Sequence, residues 1–357
     1  MRCLILILFL QTFILTGCTS IKFGLESLDI AKTDVILPSG SNMRQNISLS
    51  EDNLSPPFQE VWTYKTDGGF PLYPMTASDN ALFVSNLNGD LNAINIESGK
   101  KAGSISNSGF EFLSSPILAG NNIFYTGNSI DGAAIVNYSI KDGKEIWTRS
   151  LSKIKSPVLF SDNELITTDN AYIKKYNSST GNLKWQIQYS SFDIINIVKS
   201  NSYIFAYDQS GTLFKINYSD GKMLQSLALP SKITSDLSIY DNNLFFTTLD
   251  QKLYSVNSEL QIIFTSEIES YCSAGFSFHN DEIIFGCISG NLYCKNIKSG
   301  KTIWESKYTS AFNSSPLVHK NLIFIGSYDK YFYCLNATDG KEIWKYETES
   351  RIRSTAL

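Results

Sequence analysis

LYCKNIKSGKTIWESK (292–307) and FYCLNATDGKEIWKYE (332–347) are two copies of the pattern that decides the fold of this chain. Each copy has an alternating strand, a turn that contains Gly, and a second strand that carries Trp. Related copies begin at positions 91, 134, 173, 213 and 253, so that the repeat has a period of about 40 residues. A fixed period of this length in a strand-rich sequence predicts a repeat architecture, in which neighbouring units bury each other's apolar faces.

Each repeat unit can be divided into four short strands, as residues 312–347 illustrate. The segments FNSSPLVH, LIFIGS, YFYCLN and EIWKYE are separated by polar turns and are rich in β-branched and aromatic residues, which is typical of antiparallel hairpins. No long segment has helical periodicity. The sequence therefore predicts an all-β fold, a β-propeller of four-stranded blades with seven complete repeats plus remnants of an eighth.

The remnants of the eighth repeat lie at the two ends of the predicted propeller. Residues 60–64 (EVWTY) match the fourth strand at 342–346 (EIWKY), and residues 351–357 match the start of a first strand at 312–318. A closed eighth blade would join them through a second and a third strand. We expect the chain to stop about 20 residues short of closure, or else to close imperfectly around seven blades, with unpaired strands at the edges.

Two columns of the repeat concern the turn between the third and fourth strands. Asn stands four residues before the turn Gly in most copies, with Ser139 in its place in the second copy. Because Asn and Ser side chains can accept hydrogen bonds from a turn backbone, we interpret this column as turn capping and not as a binding ring. Positive φ is expected at the turn glycines, which are Gly99, Gly143, Gly181, Gly221, Gly300 and Gly340.

Large rings recur at one position of the fourth strand. Rings in equivalent places of successive blades are expected to pack between blades and not to stack on a ligand. On this interpretation Trp185→Ala should destabilise the fold by about 3–5 kcal/mol. His279 and His319 share another column, in exposed hairpin turns where we expect neither metal binding nor catalysis. The tryptophan column consists of Trp62, Trp147, Trp185, Trp304 and Trp344.

Four cysteines fall inside the predicted strands, at Cys272, Cys287, Cys294 and Cys334. They have neither CxxC spacing nor a His at metal-binding spacing. We interpret them as buried free thiols that act as small hydrophobic residues. In an oxidising compartment a disulfide is the alternative, and Cys287 and Cys294 could face each other across a hairpin.

The first 18 residues, MRCLILILFLQTFILTGC, have the basic start and apolar centre of a targeting segment and are too short for a transmembrane helix. Leu15-Thr16-Gly17-Cys18 matches the lipobox, and the segment thereby resembles bacterial lipoproteins. The resemblance implies a signal peptide at 1–17 and lipid attachment at Cys18. The alternative is an ordinary secretory signal with an incidental Cys. Thr19, in the position where Asp retains lipoproteins in the inner membrane, favours the outer membrane.

Residues 18–58 are polar and irregular, and we expect a lipid-anchored flexible tether there, followed by the propeller at 59–357. The net charge is −4 and the basic residues are scattered, which excludes a basic field for nucleic acid. Contact with the membrane is therefore expected through the lipid anchor alone.

The string G-x-L-x-x-x-N-x-x-(S/T/D)-G-K-x-x-W resembles the PQQ-like repeat, and the resemblance covers residues 61–357. Together with the lipobox, it makes the chain similar to the BamB-type outer-membrane assembly lipoproteins, which are eight-bladed propellers. The resemblance implies a non-enzymatic scaffold on the periplasmic side of the outer membrane. Its partner would be an envelope protein, such as a component of the β-barrel assembly machinery, and we expect the chain itself to be a monomer.

Quinoprotein dehydrogenases share this repeat, so an oxidoreductase that depends on pyrroloquinoline quinone is one alternative. Such enzymes use adjacent cysteines, a Ca²⁺ ion held by carboxylate and amide ligands, and a catalytic Asp. The sequence has no Cys-Cys pair, and turns explain acidic residues such as Asp142, Asp220 and Asp339. We therefore expect no catalysis, cofactor or metal. A ligand- or polysaccharide-binding lipoprotein is the other alternative.

Overall fold

The computed structural model describes residues 37, 41–48, 50–78, 81–107 and 109–357. All regular structure among these residues is β-strand, and the strands form seven antiparallel sheets that follow one another along the chain. Over the same described residues, no helix has the length and hydropathy that a membrane span requires. The all-β propeller of seven complete blades is therefore confirmed.

Each blade takes its strands in chain order. Blade 1 contains β1 (Met75–Ser78), β2 (Ala81–Ser85), β3 (Asp90–Asn95) and β4 (Lys101–Ser106). Blade 2 contains β5 (Glu111–Phe112), β6 (Ile117–Ala119), β7 (Asn122–Ser129), β8 (Gly132–Ser139) and β9 (Lys144–Leu151). Blade 3 contains β10 (Leu159–Ser161), β11 (Glu164–Asp169), β12 (Tyr172–Asn177) and β13 (Leu183–Gln188).

The remaining blades repeat this arrangement. Blade 4 contains β14 (Ile194–Ser200), β15 (Tyr203–Asp208), β16 (Thr212–Asn217) and β17 (Met223–Ala228). Blade 5 contains β18 (Ser238–Tyr240), β19 (Asn243–Thr248), β20 (Lys252–Asn257) and β21 (Ile262–Glu267). Blade 6 contains β22 (Ser277–His279), β23 (Glu282–Gly286), β24 (Asn291–Asn296) and β25 (Thr302–Lys307). Blade 7 contains β26 (Leu317–His319), β27 (Leu322–Gly326), β28 (Tyr331–Asn336) and β29 (Glu342–Glu347).

Consecutive strands pair within each blade because short polar turns join them, except that β5 and β6 of blade 2 both pair with β7. In blade 7, Phe324 of β27 pairs with Cys334 of β28, and Cys334 pairs with Trp344 of β29. The register between the third and fourth strands shifts in all seven blades, with the extra residue on the fourth strand. A bulge that recurs at one place in every blade gives each fourth strand the same local bend and twist.

The blades bury their faces against one another. Six hydrophobic clusters among the described residues each join one blade to the next, as Phe83 of blade 1 and Phe112 of blade 2 illustrate. Small polar residues line the inner strands, where the blades converge on the axis and leave little room; Ser115, Ser156 and Ser315 are buried there. No cluster of these residues joins blade 7 to blade 1.

Both remnants of the eighth repeat lie between blade 7 and blade 1. Glu60 accepts a hydrogen bond from the hydroxyl of Tyr346, on the fourth strand of blade 7. At the other end of the chain, Thr355 donates its N–H to the carbonyl of Leu72 at 3.1 Å, close to the first strand of blade 1. Residues 60–65 and 351–357 have no regular strand assignment, and none of the described strands pairs with them.

The cysteines differ in part from the sequence interpretation. Cys294 and Cys334 are free and buried, as expected. Cys272 and Cys287 are joined by a disulfide, so the free-thiol interpretation is wrong for this pair, and so is the pairing of Cys287 with Cys294. Cys272 precedes β22 and Cys287 directly follows β23, so the disulfide joins the two segments that flank the first hairpin of blade 6.

The two free thiols are expected to be unreactive in the folded protein. Burial raises the pKa of Cys334 to about 11, and burial together with Glu282 raises that of Cys294 still further. Because the thiolate is the nucleophile, iodoacetamide near neutral pH should modify neither residue before unfolding. Peptide mapping by mass spectrometry, without reduction, should also find Cys272 linked to Cys287. Rapid alkylation of the native protein at Cys294 or Cys334 would contradict this expectation.

Candidate functional site

The Asn and Gly columns of the repeat form the turns between the third and fourth strands of the blades. All six turn glycines have positive φ, between 63° and 73°. In blade 7, Asn336 accepts the N–H of Thr338 on its side-chain oxygen, and its carbonyl accepts the N–H of Gly340, both at 2.8 Å. Ser139 accepts the N–H of Asp142 at 3.1 Å in the same way. The Asn column is therefore occupied in capping turns and does not form a ring of free amides.

The tryptophan column lies between blades. Trp147 of blade 2 covers the turn of blade 3, where a Cβ added to Gly181 would lie 2.7 Å from its ring. Its indole N–H donates to the carbonyl of Ser178 at 2.9 Å. The turn therefore needs glycine for close contact as well as for its positive φ. The same contact of ring and glycine joins Trp62 to Gly99, Trp185 to Gly221 and Trp304 to Gly340.

Blades 1 and 4 have Gly103 and Gln225 at the tryptophan position, and two other blades vary the contact. In blade 5, Phe264 replaces the tryptophan and packs against Gly300. Trp344 of blade 7 has no following turn glycine, and Phe58 covers it instead, with the ring centroids 5.3 Å apart in an edge-to-face arrangement. A residue from before the propeller thus covers Trp344 on the exposed side of the last blade.

A polar cluster lies where the inner strands meet at the axis. Arg44, which is 1% exposed, forms an ion pair with Asp236 at 3.3 Å and donates to the hydroxyl of Ser156 at 3.0 Å. Asp236 also accepts hydrogen bonds from Asn196 and from the hydroxyl of Tyr73. Burial, and then the charge of Asp236, raise the pKa of Tyr73 far above its usual range, so that Tyr73 remains a donor. The cluster satisfies its charges internally.

The axial cluster does not fit a quinone cofactor with a bound cation. The carboxylate of Asp236 already serves three donors of this chain, and the guanidinium of Arg44 occupies the space beside it. In the part of the chain that the structure describes, no group of three or more His, Cys, Asp and Glu residues is placed to hold a metal ion. These residues are therefore arranged as structural partners of one another.

Arg44 belongs to a segment, residues 41–48, that we call the strap. The carbonyls of Asn42 and Met43 accept the N–H groups of Lys199 and Ile239, at 3.0 and 2.9 Å. Further along, Ser48 donates its N–H to the carbonyl of Val318 at 2.9 Å. The strap thus crosses the inner strands of blades 3 to 7, next to the turns that join their first and second strands.

The strap differs from the tether expected at 18–58. Its residues have the polar, irregular composition of a linker. Several backbone groups of the strap nevertheless form hydrogen bonds with residues at the ends of the inner strands. His319, expected on an exposed hairpin, is buried under the continuation of the strap: its ring nitrogens lie 3.0 Å from the hydroxyl of Ser48 and 2.8 Å from the carbonyl of Asp52. The two histidines end β22 and β26, and both ring nitrogens of His319 contact residues of this chain.

The opposite ends of the strands form a surface that we call the free face: the turns between second and third strands together with the loops between blades. Its highest point is the hairpin of β7 and β8, whose strands have eight residues each. At its tip Ile130 is 98% exposed. Leu87, Phe110 and Asn128 border a groove of about 400 Å³ beside it. Leu249 and Phe192 are further exposed apolar residues of this face.

The sequence motifs and the structural site overlap only in part. Trp62, Trp147, Trp185, Trp304 and Trp344 and the six turn glycines are distributed around the propeller and do not converge on one site. Cys18, the expected lipid attachment residue, lies outside the described residues. The sequence did not reveal the buried pair of Arg44 and Asp236, since the two residues are separated by 192 positions.

Comparison with known proteins agrees with this geometry. A family model described as outer membrane protein assembly factor BamB matches residues 58–195, 169–260 and 261–357. The crystal structure of BamB from Moraxella catarrhalis is similar, with a TM-score of 0.67 and 14% identity over 84% of this chain and 94% of that chain. No curated protein matches the chain.

Other solved structures share the fold. Quinohemoprotein alcohol dehydrogenase from Comamonas testosteroni has a TM-score of 0.74 and 10% identity over 90% of this chain and 74% of that chain. The computationally designed protein Ika8 has a TM-score of 0.69 and 18% identity over 81% of this chain and 91% of that chain. An enzyme and a designed protein at such low identity share the architecture alone, and fold does not decide function.

Proposed function

The chain belongs to the family of the outer membrane protein assembly factor BamB, and from that premise we propose that it is a lipid-anchored scaffold of the bacterial envelope. It binds another envelope protein during assembly of outer-membrane β-barrel proteins, on the periplasmic side of the outer membrane. The observation that carries the proposal is the free face, with its fully exposed Ile130 on a projecting hairpin. Exposed apolar residues grouped beside a groove are typical of protein-interaction sites.

Rigidity supports a role in recognition. Turn caps such as Asn336 fix one end of each blade, and the strap ties five blades together near their inner strands. Loops held on a rigid scaffold bind with little loss of conformational freedom. Among the described residues, the strap lies on the opposite face and leaves the free face accessible to a partner.

The anchor is proposed from the sequence. Cys18 stands 19 positions before Leu37. A fully extended chain of that length spans at most about 65 Å. Lipid chains on Cys18 would therefore keep the propeller close to the membrane surface, and two or more acyl chains are needed for stable attachment. The scaffold would meet its partners in the thin layer of periplasm beside the outer membrane.

Cys18→Ser is expected to abolish membrane attachment. The substituted protein should accumulate as an uncleaved precursor or as soluble material without fatty acid, because Ser offers no thiol for the diacylglycerol. Metabolic labelling with a fatty acid, followed by detergent partition, measures the effect, and Cys294→Ser is a matched control that should still be labelled. A mature, labelled Cys18→Ser protein in the membrane fraction would show that the anchor lies elsewhere.

Removal of the gene tests the scaffold function itself. Levels of outer-membrane β-barrel proteins should fall, and the wild-type chain should restore them, whereas Cys18→Ser should restore them poorly because the scaffold is no longer held at the membrane. Unchanged barrel levels, together with reduction of a dye by the purified chain only when pyrroloquinoline quinone and an alcohol are added, would replace the scaffold with an oxidoreductase.

A further inference from the structure

The strap contacts the blades as a bound peptide contacts its receptor. It has no regular strand, and only Ile47 forms an isolated parallel bridge, with Val318. Side chains at every second position reach the inner strands, and Gln45 adds one bond to the carbonyl of Ile239. These contacts join Asn42 to blade 3, Arg44 to blades 3 and 5, Asn46 to blade 6 and Ser48 to blade 7.

The two asparagines of the strap bind backbone groups through their side-chain amides. The amide of Asn42 donates to the carbonyl of Phe160 at 2.7 Å and accepts the N–H of the same residue at 3.2 Å. The amide of Asn46 donates to the carbonyl of Phe276 at 2.9 Å. A side chain that must both donate and accept at one place is an amide, so the contact with Phe160 selects Asn against apolar residues.

Blades 5 and 6 have serine where the carbonyls of the strap need donors. Ser238 donates its hydroxyl to the carbonyl of Arg44 at 2.7 Å, and Ser277 donates to the carbonyl of Asn46 at 2.6 Å. Both serines are fully buried. The equivalent residues of blades 2, 3, 4 and 7 are apolar, namely Ile117, Leu159, Val198 and Leu317. The repeat is therefore altered in the two blades that bind these carbonyls.

The guanidinium of Arg44 lies in a socket formed by blades 3 and 5. It pairs with Asp236 at 3.3 Å, and it donates to the hydroxyl of Ser156 at 3.0 Å and to the carbonyl of Pro157 at 3.4 Å. Asn196, which donates to Asp236, has a buried side-chain oxygen with no hydrogen-bond partner among the described residues. Several acceptors in different directions suit the fork of a guanidinium better than the compact ammonium of lysine.

The site imposes the backbone shape of the strap. Arg44 and Asn46 have φ values of 53° and 48°, in the left-handed region. Asn tolerates this region, but arginine rarely adopts it. The carbonyls of these two residues are the ones that Ser238 and Ser277 bind, so contacts with the blades hold the strap in this conformation.

We propose that the ends of the inner strands of blades 3 to 7 form a peptide-binding site directed to arginine, in which the strap is the resident ligand. We call this the strap site. An extended segment of another polypeptide, with Arg for the socket and Asn two positions to either side, would make the same contacts and displace the strap. The contacts are polar apart from half-buried Met43 and Ile47, so an external segment can reproduce them.

The strap site favours its own ligand because the strap belongs to the same chain. A tethered ligand has an effective concentration in the millimolar range, so an external segment competes poorly until the strap is weakened. Displacement would free the chain between the anchor and the propeller from the blades. That the external segment comes from an envelope protein rests on the proposed function, whereas the pattern it must carry rests on the contacts of the strap alone.

A fluorescein-labelled peptide of residues 41–48 is the probe for the full chain in detergent. Arg44→Ala empties the socket, so this variant should bind the peptide at least about tenfold more tightly than the wild-type chain, measured by fluorescence anisotropy. A peptide with Arg44→Lys should bind at least about tenfold more weakly, because an ammonium does not reach all the acceptors. No binding to the Arg44→Ala chain, or equal binding of the two peptides, would overturn the proposal.

Two further variants of the chain locate the strap site. Asn46→Ala removes one contact of the strap and leaves the pair of Arg44 and Asp236 in place, so it should fold and bind the peptide about fivefold more tightly than wild type. Asp236→Asn, added to Arg44→Ala, should weaken binding at least about tenfold. Ile130→Asp on the free face is the matched control and should change nothing. If Arg44→Ala does not fold, Asn46→Ala decides, and binding no tighter than wild type contradicts the proposal.

Other occupants of the strap site give different results. If two copies of the chain exchange their straps, the wild-type chain will sediment as a dimer that the peptide dissociates, and the source of the external segment is wrong. If the strap never leaves the blades, none of the variants will bind the peptide, and its displacement is wrong. Neither result affects the scaffold function, because loss of barrel proteins on gene removal is measured independently of the peptide.

Discussion

Arg44→Ala is expected to lower the free energy of unfolding by about 3–5 kcal/mol, because it leaves the carboxylate of Asp236 in the protein interior without its cation. The side chains of Arg44 and Asp236 are only 1% and 14% exposed, so water can replace little of the lost interaction. Removal of the guanidinium also frees the strap from the axis. Equilibrium unfolding in urea, followed by tryptophan fluorescence, measures the change.

Two further variants separate the buried pair from ordinary surface charges. The double variant Arg44→Ala with Asp236→Asn should be less destabilised than the sum of the single variants, since it removes both charges. Lys65→Ala breaks an ion pair with Glu349 in which both side chains are more than three-quarters exposed, and it should change stability by no more than about 1 kcal/mol. If Arg44→Ala behaves like Lys65→Ala, the strap is not fixed at the axis.

Trp147→Ala is expected to destabilise the propeller by about 3–5 kcal/mol. The ring is buried between blades 2 and 3, against Gly181, and alanine would leave a cavity there and remove one of the two side-chain hydrogen bonds that the carbonyl of Ser178 accepts. The same urea titration measures the effect. A decrease of less than about 1 kcal/mol in the free energy of unfolding would mean that the tryptophan column does not stabilise the packing between blades.

Trp185 should contribute less to the stability of the propeller than we expected from the sequence. Its ring is only partly buried, and its indole N–H has no hydrogen-bond partner. The carbonyl that would accept it, that of Tyr218, is taken by the ammonium of Lys175 at 3.0 Å. We therefore expect Trp185→Ala to cost less than Trp147→Ala, below about 3 kcal/mol. A larger cost for Trp185→Ala would contradict this comparison.

The sequence predicted the blades well because their determinants are local. An Asn and a Gly four positions apart, such as Asn336 and Gly340, fix a turn without reference to the rest of the chain, and the flanking strands pair with each other. Periodicity then reveals how many such units exist. The matches of residues 60–64 to a fourth strand and of residues 351–357 to a first strand located the incomplete eighth position for the same reason.

The parts that the sequence did not predict depend on distant contacts. Arg44 lies in a polar, irregular segment, and only the closed ring of blades brings Asp236 within reach. The burial of His319 under the strap has the same origin, because Ser48 and Asp52 are more than 260 positions away in sequence. The disulfide of Cys272 and Cys287 depends on which side chains meet beside the hairpin of β22 and β23, and a repeat pattern does not specify that.

Crosslinking from the free face tests the scaffold function most directly. A photoreactive phenylalanine at Ile130, introduced in living cells, should form a discrete adduct that mass spectrometry identifies as a component of outer-membrane protein assembly. The same group at Lys141, exposed at the other end of blade 2, should give no such adduct. If Ile130 captures no assembly component, or if both positions give the same products, the free face is not the binding site and the proposed scaffold function is contradicted.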